Sequence, residues 1–366
     1  MDIIKEILEE IIENISEFDS KEGEPIIESK EKEEVIHSEE KEEVIDSKEK
    51  EEVLDSKEGE EVIHSIEKEP VIDFKEKEPV IDSKEPIPKE ETKINTLCFS
   101  GGGIKGLAFI GALEHLLEKK IFALEDIKTF VGSSAGSMLS FLLNIGWKIS
   151  EIKAFLLNFN FEKLISGINS LALFETYGIQ DGNKLQLLFI KFLENKFQVK
   201  DITFEELYRK THKKIIIIGT NLTKSQEAVF SYKTTPKFSV ILALRISSSI
   251  PLIFKPVKYE NELYVDGGIV NNFPLNHCSK KTTIGLYIKN SGNSIDCIND
   301  FILSVLNTTA DTISQKSMKK YKKNVIEIIN TNTEFIKFNI NLEERLALIK
   351  DGYNSCDEFI KSFNRF

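Results

Sequence analysis

Three clusters of small and reactive residues stand at the ends of short apolar runs. In the central one, Lys128-Thr129-Phe130-Val131 leads into Gly132-Ser133-Ser134-Ala135-Gly136, and Ser137 to Leu143 continues as an apolar helix pattern. Gly-x-Ser-x-Gly between a strand and a helix is the pattern of a nucleophile elbow: the sharp turn needs small flanking residues and presents Ser134 Oγ at the helix N-terminus. Serine is a poor nucleophile until a base takes its proton. Upstream, Thr96 to Phe99 feeds Ser100-Gly101-Gly102-Gly103-Ile104-Lys105-Gly106, and helical spacing resumes from Leu107 to Leu117. A strand, a glycine turn and a helix N-terminus gather several backbone N–H groups around one point. Such a turn binds anions or holds a developing oxyanion. Downstream, Leu263-Tyr264-Val265 ends in Asp266-Gly267-Gly268. An aspartate at a strand's carboxyl end suits a site at the top of an open α/β sheet, although Asp-Gly also makes an ordinary turn.

Rival chemistries fit less well. Gly101-x-Gly103-x-x-Gly106 matches a dinucleotide fingerprint, which wants an acid at the end of the next strand. Glu125 and Asp126 have the distance but precede the strand at 129–131. No Gly-Lys-Ser/Thr follows, which excludes a Walker loop. For a Ser-His-Asp triad, His115 falls inside the first helix, and His212 lies at the wrong end of the strand Ile215 to Ile218. His277, eleven residues after Asp266, is the one credible candidate. Cysteines and histidines do not cluster at metal-ligand spacing, so neither a metal nor another cofactor is expected.

Together, and in this order, the three motifs resemble the patatin-like phospholipases. The resemblance runs from Leu97 to Ser279 and includes Thr203 to Leu207, Gly219 to Leu222 and Ser247 to Phe254. Ser100 stands where many members carry Asp. The resemblance implies a lipid acyl hydrolase that cleaves carboxylic esters of phospholipids or acylglycerols through a Ser–Asp dyad without histidine. Ser134 would be the nucleophile and Asp266 the proton acceptor. Gly101, Gly102, Gly103, Lys105 and Gly106 would form the oxyanion loop, Gly132 and Gly136 the elbow, and Gly267 and Gly268 the turn after the base. The partner implied is lipid at a membrane or droplet surface, and no nucleic acid.

Positioning these motifs requires strands near 96–100, 129–132, 214–220, 263–266, 283–288 and 324–329 alternating with helices. That order predicts an α/β fold, a three-layer α/β/α domain with a largely parallel central sheet, over residues 94–366. Residues 97–279 form its motif-bearing core. The first 93 residues are different in kind. They hold 34 acids against 14 lysines and no arginine, for a charge of −20, whereas the remainder carries +8. Aliphatic pairs recur there every nine residues, from Ile26-Ile27 to Val80-Ile81. Nine steps turn successive pairs to opposite sides in a helix or a strand, so no apolar face accumulates and residues 19–93 are expected to be a disordered tail. Ile4, Leu8, Ile11, Ile15 and Phe18 instead follow helical spacing, which predicts an amphipathic helix over residues 1–18. Its acidic polar face suits a partner helix or self-association better than an anionic bilayer.

Cys98, Cys278, Cys297 and Cys356 are scattered, as expected of a reducing compartment. The N-terminus lacks a signal-peptide pattern, and no apolar run reaches the length of a spanning helix. A cytoplasmic protein, with peripheral membrane contact at most, is the expectation. Lys316, Lys319, Lys320, Lys322 and Lys323 form the densest basic run, either a solvated helix face or a contact with anionic lipid. Two other readings stay open: a scaffold acting through the N-terminal helix and tail, and a nucleotide-binding enzyme using the glycine loop.

Overall fold

The computed structural model describes residues 93–166, 172–289, 295–296, 298–321, 323–329 and 337–363. The helix expected within residues 1–18 and the repeat tail at 19–93, Lys93 excepted, lie outside the described residues.

The chain enters on β1 (Thr96–Phe99), turns through a 3₁₀ segment (Gly103–Leu107) into α1 (Ala108–Glu118), and returns along β2 (Thr129–Ser133) into α2 (Ala135–Asn144). α3 (Ile149–Asn158), β3 (Gly178–Gln180), α4 (Asn183–Phe197) and α5 (Phe204–Thr211) follow. Next come β4 (Lys214–Asn221), β5 (Gln226–Ser231), α6 (Val240–Ser247), β6 (Leu252–Phe254), β7 (Val257–Tyr259) and β8 (Glu262–Asp266). A helical turn at Gly268–Asn271 precedes β9 (Thr283–Lys289), α7 (Ile298–Met318), β10 (Val325–Ile329) and α8 (Leu342–Phe363).

The main sheet has the order β10-β9-β1-β2-β4-β8-β7, with β5 also paired to β4. From β10 to β4 the strands are parallel. Chain order reverses at β1, with β2 and β4 added on one side and β9 and β10 on the other. The crevice outside the carboxyl ends at such a reversal is the natural ligand site of an open sheet. β5 and β8 each pair antiparallel with β4, and β7 pairs antiparallel with β8, so the sheet is mixed at the β7 side. This orientation determines where Asp266 sits. As the last residue of an antiparallel strand it points back along β4 and pairs with Gly219, while the neighbouring Ile218 pairs with Ser133. β8 thereby delivers Asp266 to the level of the turn after β2.

Alternation along the strands distributes the core between two faces. Leu97, Phe99, Phe130, Ile284, Leu286, Ile288, Ile326 and Ile328 belong to the large core beneath α1, α2, α3 and α8. Cys98, Val131, Tyr287 and Val325 face the other way, onto Phe273, Leu275, Met318 and Tyr321. α8 is integral to the larger layer. Arg345 Nη1 donates to the carbonyls of Leu156, Leu157 and Phe159 at 3.0, 3.2 and 2.6 Å, which satisfies the C-terminal end of α3. α8 also crosses α1 at backbone contact: a Cβ on Gly111 would lie 1.8 Å from Ile349 O, and one on Gly352 would lie 1.8 Å from Ala108 O.

That crossing gives a stability test. Gly111→Ala must force the two helices apart and is expected to cost about 1–3 kcal/mol. A lowered urea midpoint is the expected readout, and an unchanged midpoint would contradict the close crossing.

Candidate active site

Ser134 is the residue between β2 and α2, with φ 51° and ψ −125°. A positive φ is costly for a residue with a Cβ and persists only where surrounding structure holds it. Here its amide donates to Ser247 Oγ at 3.0 Å, and Ser247 Oγ donates to Ile218 O at 2.6 Å. Its carbonyl accepts from the Ser137 amide at 2.8 Å and from Ser137 Oγ at 2.6 Å. The flanking glycines are required by close approach. A Cβ on Gly132 would fall 2.3 Å from Gly136 O, and one on Gly136 would fall 2.5 Å from both Phe99 O and Ser100 O. The elbow is thus pressed against the end of β1.

The glycine loop after β1 comes to the same place. Ser100 ties it to β9: its amide donates to Leu286 O at 3.0 Å and its hydroxyl accepts from the Ile288 amide at 2.9 Å. Gly101 donates its amide to Asn272 O at 2.9 Å, which commits that N–H to the frame. A Cβ on Gly101 would fall 2.2 Å from Asn272 Oδ1 and 3.3 Å from Ser134 Cβ. Gly101, Asn272 and Ser134 therefore converge. Gly102 precedes the 3₁₀ turn that contains Gly103, Lys105 and Gly106, and Gly106 abuts Ala135 of the elbow. Lys105 is buried within that turn.

Asp266 is 4% exposed and Ser134 3% exposed. Asp266 Oδ1 accepts from the Gly268 amide at 2.7 Å, with Gly267 forming the intervening turn. Oδ2 is buried and makes no hydrogen bond among the described residues. Burial pushes the carboxyl up to about 7, against the lowering influence of the nearby Ser134 hydroxyl and the Gly268 amide. The serine is close enough to act on the carboxylate without closing a full hydrogen bond to it, a spacing common in unliganded sites. The Asp266 amide donates to Ser249 O at 2.9 Å, and its carbonyl accepts from Thr220 Oγ1 at 2.8 Å.

Ser249 is braced in turn by Arg245, which is buried near the C-terminal end of α6. The guanidinium donates to Ser249 Oγ, to Asp181 O at 2.6 Å and to Lys255 O at 2.9 Å. Burial lowers Arg245 to about 10, partly countered by Asp181. Ser247 and Ser249 belong to the stretch Ser247 to Phe254 that carries part of the resemblance, whereas Arg245 and Asn272 carry no signal of their own: Arg245 bonds a hydroxyl and two carbonyls, and Asn272 takes part through its own carbonyl.

The histidines lie elsewhere. His277 Nε2 is 3.0 Å from Glu227 Oε1 on β5. His115 is buried in the α1–α8 contact, 3.2 Å from Asp357 Oδ1, and His212 follows the C-terminus of α5. Among the described residues, none lines the spaces at Ser134 or Asp266. No group of three or more His, Cys, Asp or Glu side chains able to hold a metal occurs among the described residues, and none of their helices is long and apolar enough to cross a membrane.

Two spaces meet at the pair. An apolar chamber of about 130 Å³ opens behind Ser134, walled by Ile110, Leu142, Phe155, Leu188, Phe189 and Phe192 among others. Ser134 and Ser248 contribute its hydroxyls. A smaller cleft at Asp266 is bounded by Asn272, Leu303, Leu306, Asn307 and Ala310, and Ile250 borders both spaces.

Residues 97–278 match the family described as patatin-like phospholipase. The chain is 36% identical over 249 residues to "Probable lipid hydrolase 463L" of Invertebrate iridescent virus 6, covering 65% of this chain and 78% of that one. The chain belongs to the patatin-like phospholipase family. The family and this relative together support lipid ester hydrolysis as the general chemistry. A further relative, "Uncharacterized protein R571" of Acanthamoeba polyphaga mimivirus, is 31% identical, covering 75% of this chain and 96% of its own length. Among solved structures, VipD from Legionella pneumophila shares the fold, with a TM-score of 0.51 at 18% identity, covering 74% of this chain and 67% of that one.

The raised carboxyl has a consequence for stability. In the native state Asp266 keeps its proton up to about pH 7, whereas the unfolded chain releases it near its ordinary value of 3.8. Between these pH values the native state binds more protons, so its stability falls as pH rises through the window. Asp266→Asn removes that loss. The variant should gain about 2–4 kcal/mol over the wild type at pH 8, and the two should converge near pH 4. Thermal melts across pH 4–9 check this, and parallel curves would contradict it.

Proposed function

We propose that the protein hydrolyses carboxylic esters of phospholipids or acylglycerols through an acyl-enzyme on Ser134, with Asp266 as the base. The observation that carries this reading is the buried Ser134–Asp266 pair at the mouth of an apolar chamber. In the first half-reaction Ser134 Oγ attacks the ester carbonyl and its proton passes to Asp266 Oδ2, the oxygen with no other hydrogen bond. The N-terminus of α2 and the amides of Gly102 and Gly103 are the groups proposed to hold the resulting oxyanion. Gly101 is excluded because its amide is already committed. Collapse returns the proton from Asp266 to the leaving alcohol, and the acyl chain stays on Ser134 within the chamber. Water then attacks the acyl-enzyme carbonyl while giving its proton to Asp266. Protonated Asp266 then returns that proton to Ser134 Oγ as the second tetrahedral intermediate collapses and releases the acid.

A raised carboxyl suits this task. Toward a serine hydroxyl, a base near 7 is stronger than an ordinary carboxylate and is about half ionised at neutral pH. The chamber accounts for lipid as the substrate class, because its wall is aliphatic and aromatic apart from two hydroxyls. The histidine triad is disfavoured by the position of His277 beside Glu227.

Two outcomes test the reading. Ser134→Ala and Asp266→Asn should each reduce turnover of a soluble short-chain ester by at least about a thousandfold with unchanged circular dichroism, while His277→Ala stays within a few-fold. Wild-type kcat/KM should rise with pH and level off above about 7, because only the ionised carboxyl accepts the proton. An active Asp266→Asn variant would overturn the dyad. Separately, Leu188→Trp fills the chamber and should shift preference from long to short acyl chains by about tenfold or more. An unchanged chain-length profile would remove the chamber as the acyl site.

A further inference from the structure

α7 has two unlike sides. Its inner side, Leu303, Leu306, Asn307 and Ala310, walls the cleft at Asp266. On its outer side Ile298, Phe301 and Val305 are 68%, 52% and 50% exposed. These three fall at steps of three and four residues and form one stripe. Ile295, just before the helix, is exposed as well. Thr308 and Thr312 continue the stripe, and Lys316 and Lys319 end it. The helix carries Asp300 and Asp311, and both point away from this line. Asp300 Oδ2 accepts from the Asp296 amide, and Asp311 accepts from the Tyr287 hydroxyl at 2.7 Å. In a chain with 60 acids and 48 bases, the line from Ile298 to Lys319, about 30 Å long, carries no carboxylate, and the exposed Asp296 lies just before it. It is apolar beside the cleft and cationic at its far end.

We propose that this stripe of α7 seats the protein on an anionic lipid surface. Ile298, Phe301 and Val305 enter the apolar boundary of the bilayer, and Lys316 and Lys319 meet the lipid headgroups. The occupant follows from charge and position together. Anionic headgroups complement the cationic end, and the apolar end lies over the helix that bounds the proposed catalytic carboxylate. The proposal rests on the lipid-hydrolase reading for its choice of occupant, but binding is measurable without catalysis.

The test uses full-length protein carrying Ser134→Ala, so that no lipid is consumed, and vesicles of phosphatidylcholine with and without phosphatidylserine. Phe301→Asp with Val305→Asp, residues that line neither space at the active site, should lower the bound fraction in flotation by roughly tenfold on both vesicle types. Lys316→Ala with Lys319→Ala should remove the preference for phosphatidylserine and leave binding to phosphatidylcholine unchanged. In the Ser134-intact chain, the Phe301/Val305 double variant should hydrolyse a soluble short-chain ester within twofold of wild type. Unchanged flotation of the double variant overturns the docking surface. So does unchanged flotation accompanied by loss of self-association in sedimentation, which would make the stripe a contact between protein chains. If the wild type docks through α7 but cleaves no ester, the hydrolase reading fails and the docking surface stands.

Discussion

Asp266 is held out of water with one oxygen fixed by the Gly268 amide and the other without a hydrogen bond among the described residues. Ionising a carboxyl there costs free energy that solvent would otherwise supply. That cost raises the group to about 7, and it must be met by the rest of the domain. The sheet is arranged accordingly. Were β8 parallel to β4 over the same three residues, Asp266 would lie beside Asn221, further from the Ile218–Ser133 pair. Its antiparallel course and short overlap with β4 bring Asp266 beside Gly219 instead, one position from the Ile218–Ser133 pair.

Ser134 is the second unfavourable feature, and both features share one support. The strained φ of Ser134 costs on the order of 1–3 kcal/mol. The end of α6 braces both partners: Ser247 Oγ accepts from the Ser134 amide, and Ser249 O accepts from the Asp266 amide. Arg245 fixes the same turn by donating to Ser249 and to the carbonyls of Asp181 and Lys255. One helix end therefore sets the separation between Ser134 and Asp266. It does so through backbone amides, leaving Ser134 Oγ and Asp266 Oδ2 uncommitted to the frame.

This division explains what the sequence disclosed. Ser134, Gly132 and Gly136 were legible because an elbow pressed against Phe99 O and Ser100 O tolerates no Cβ at the glycines, and that constraint is written as residue type. The parallel strands β1, β2, β4, β9 and β10 were legible as largely apolar runs. β5 and β7 were missed, since Gln226–Ser231 and Val257–Tyr259 are short edge segments mixing charged and apolar residues. Asp266 was found, but the direction of β8 was not, because a strand's sequence does not encode whether its neighbour runs with or against it. Asn272 takes part through its own carbonyl and Arg245 by donating to the carbonyls of Asp181 and Lys255, groups that every residue has, so no spacing announces them. α8 was invisible as part of the core: its contact with α1 is made by Gly111 and Gly352, which in the sequence look like weak points in helices.

On the proposed reading, the two spaces at the site divide the labour of an ester hydrolase between a dry side and a wet side. On the proposed reading, an acyl chain in the chamber meets Phe155, Phe189 and Phe192 and displaces any water around Ser134. The second half-reaction nevertheless needs a water molecule at the acyl carbonyl. A wall with only two hydroxyls offers water too few partners to be held in place, so the chamber is a poor route for it. The cleft at Asp266 is the better route, because Asn272 and Asn307 border it and the proposed base itself lines it. Leaving alcohol and incoming water then use the same opening and exchange protons with the same carboxylate. Asp266 therefore has to be buried deeply enough to become a stronger base and yet remain at the boundary of the cleft. A residue at the end of an antiparallel strand, with its amide anchored and its side chain turned toward Gly268, meets both conditions.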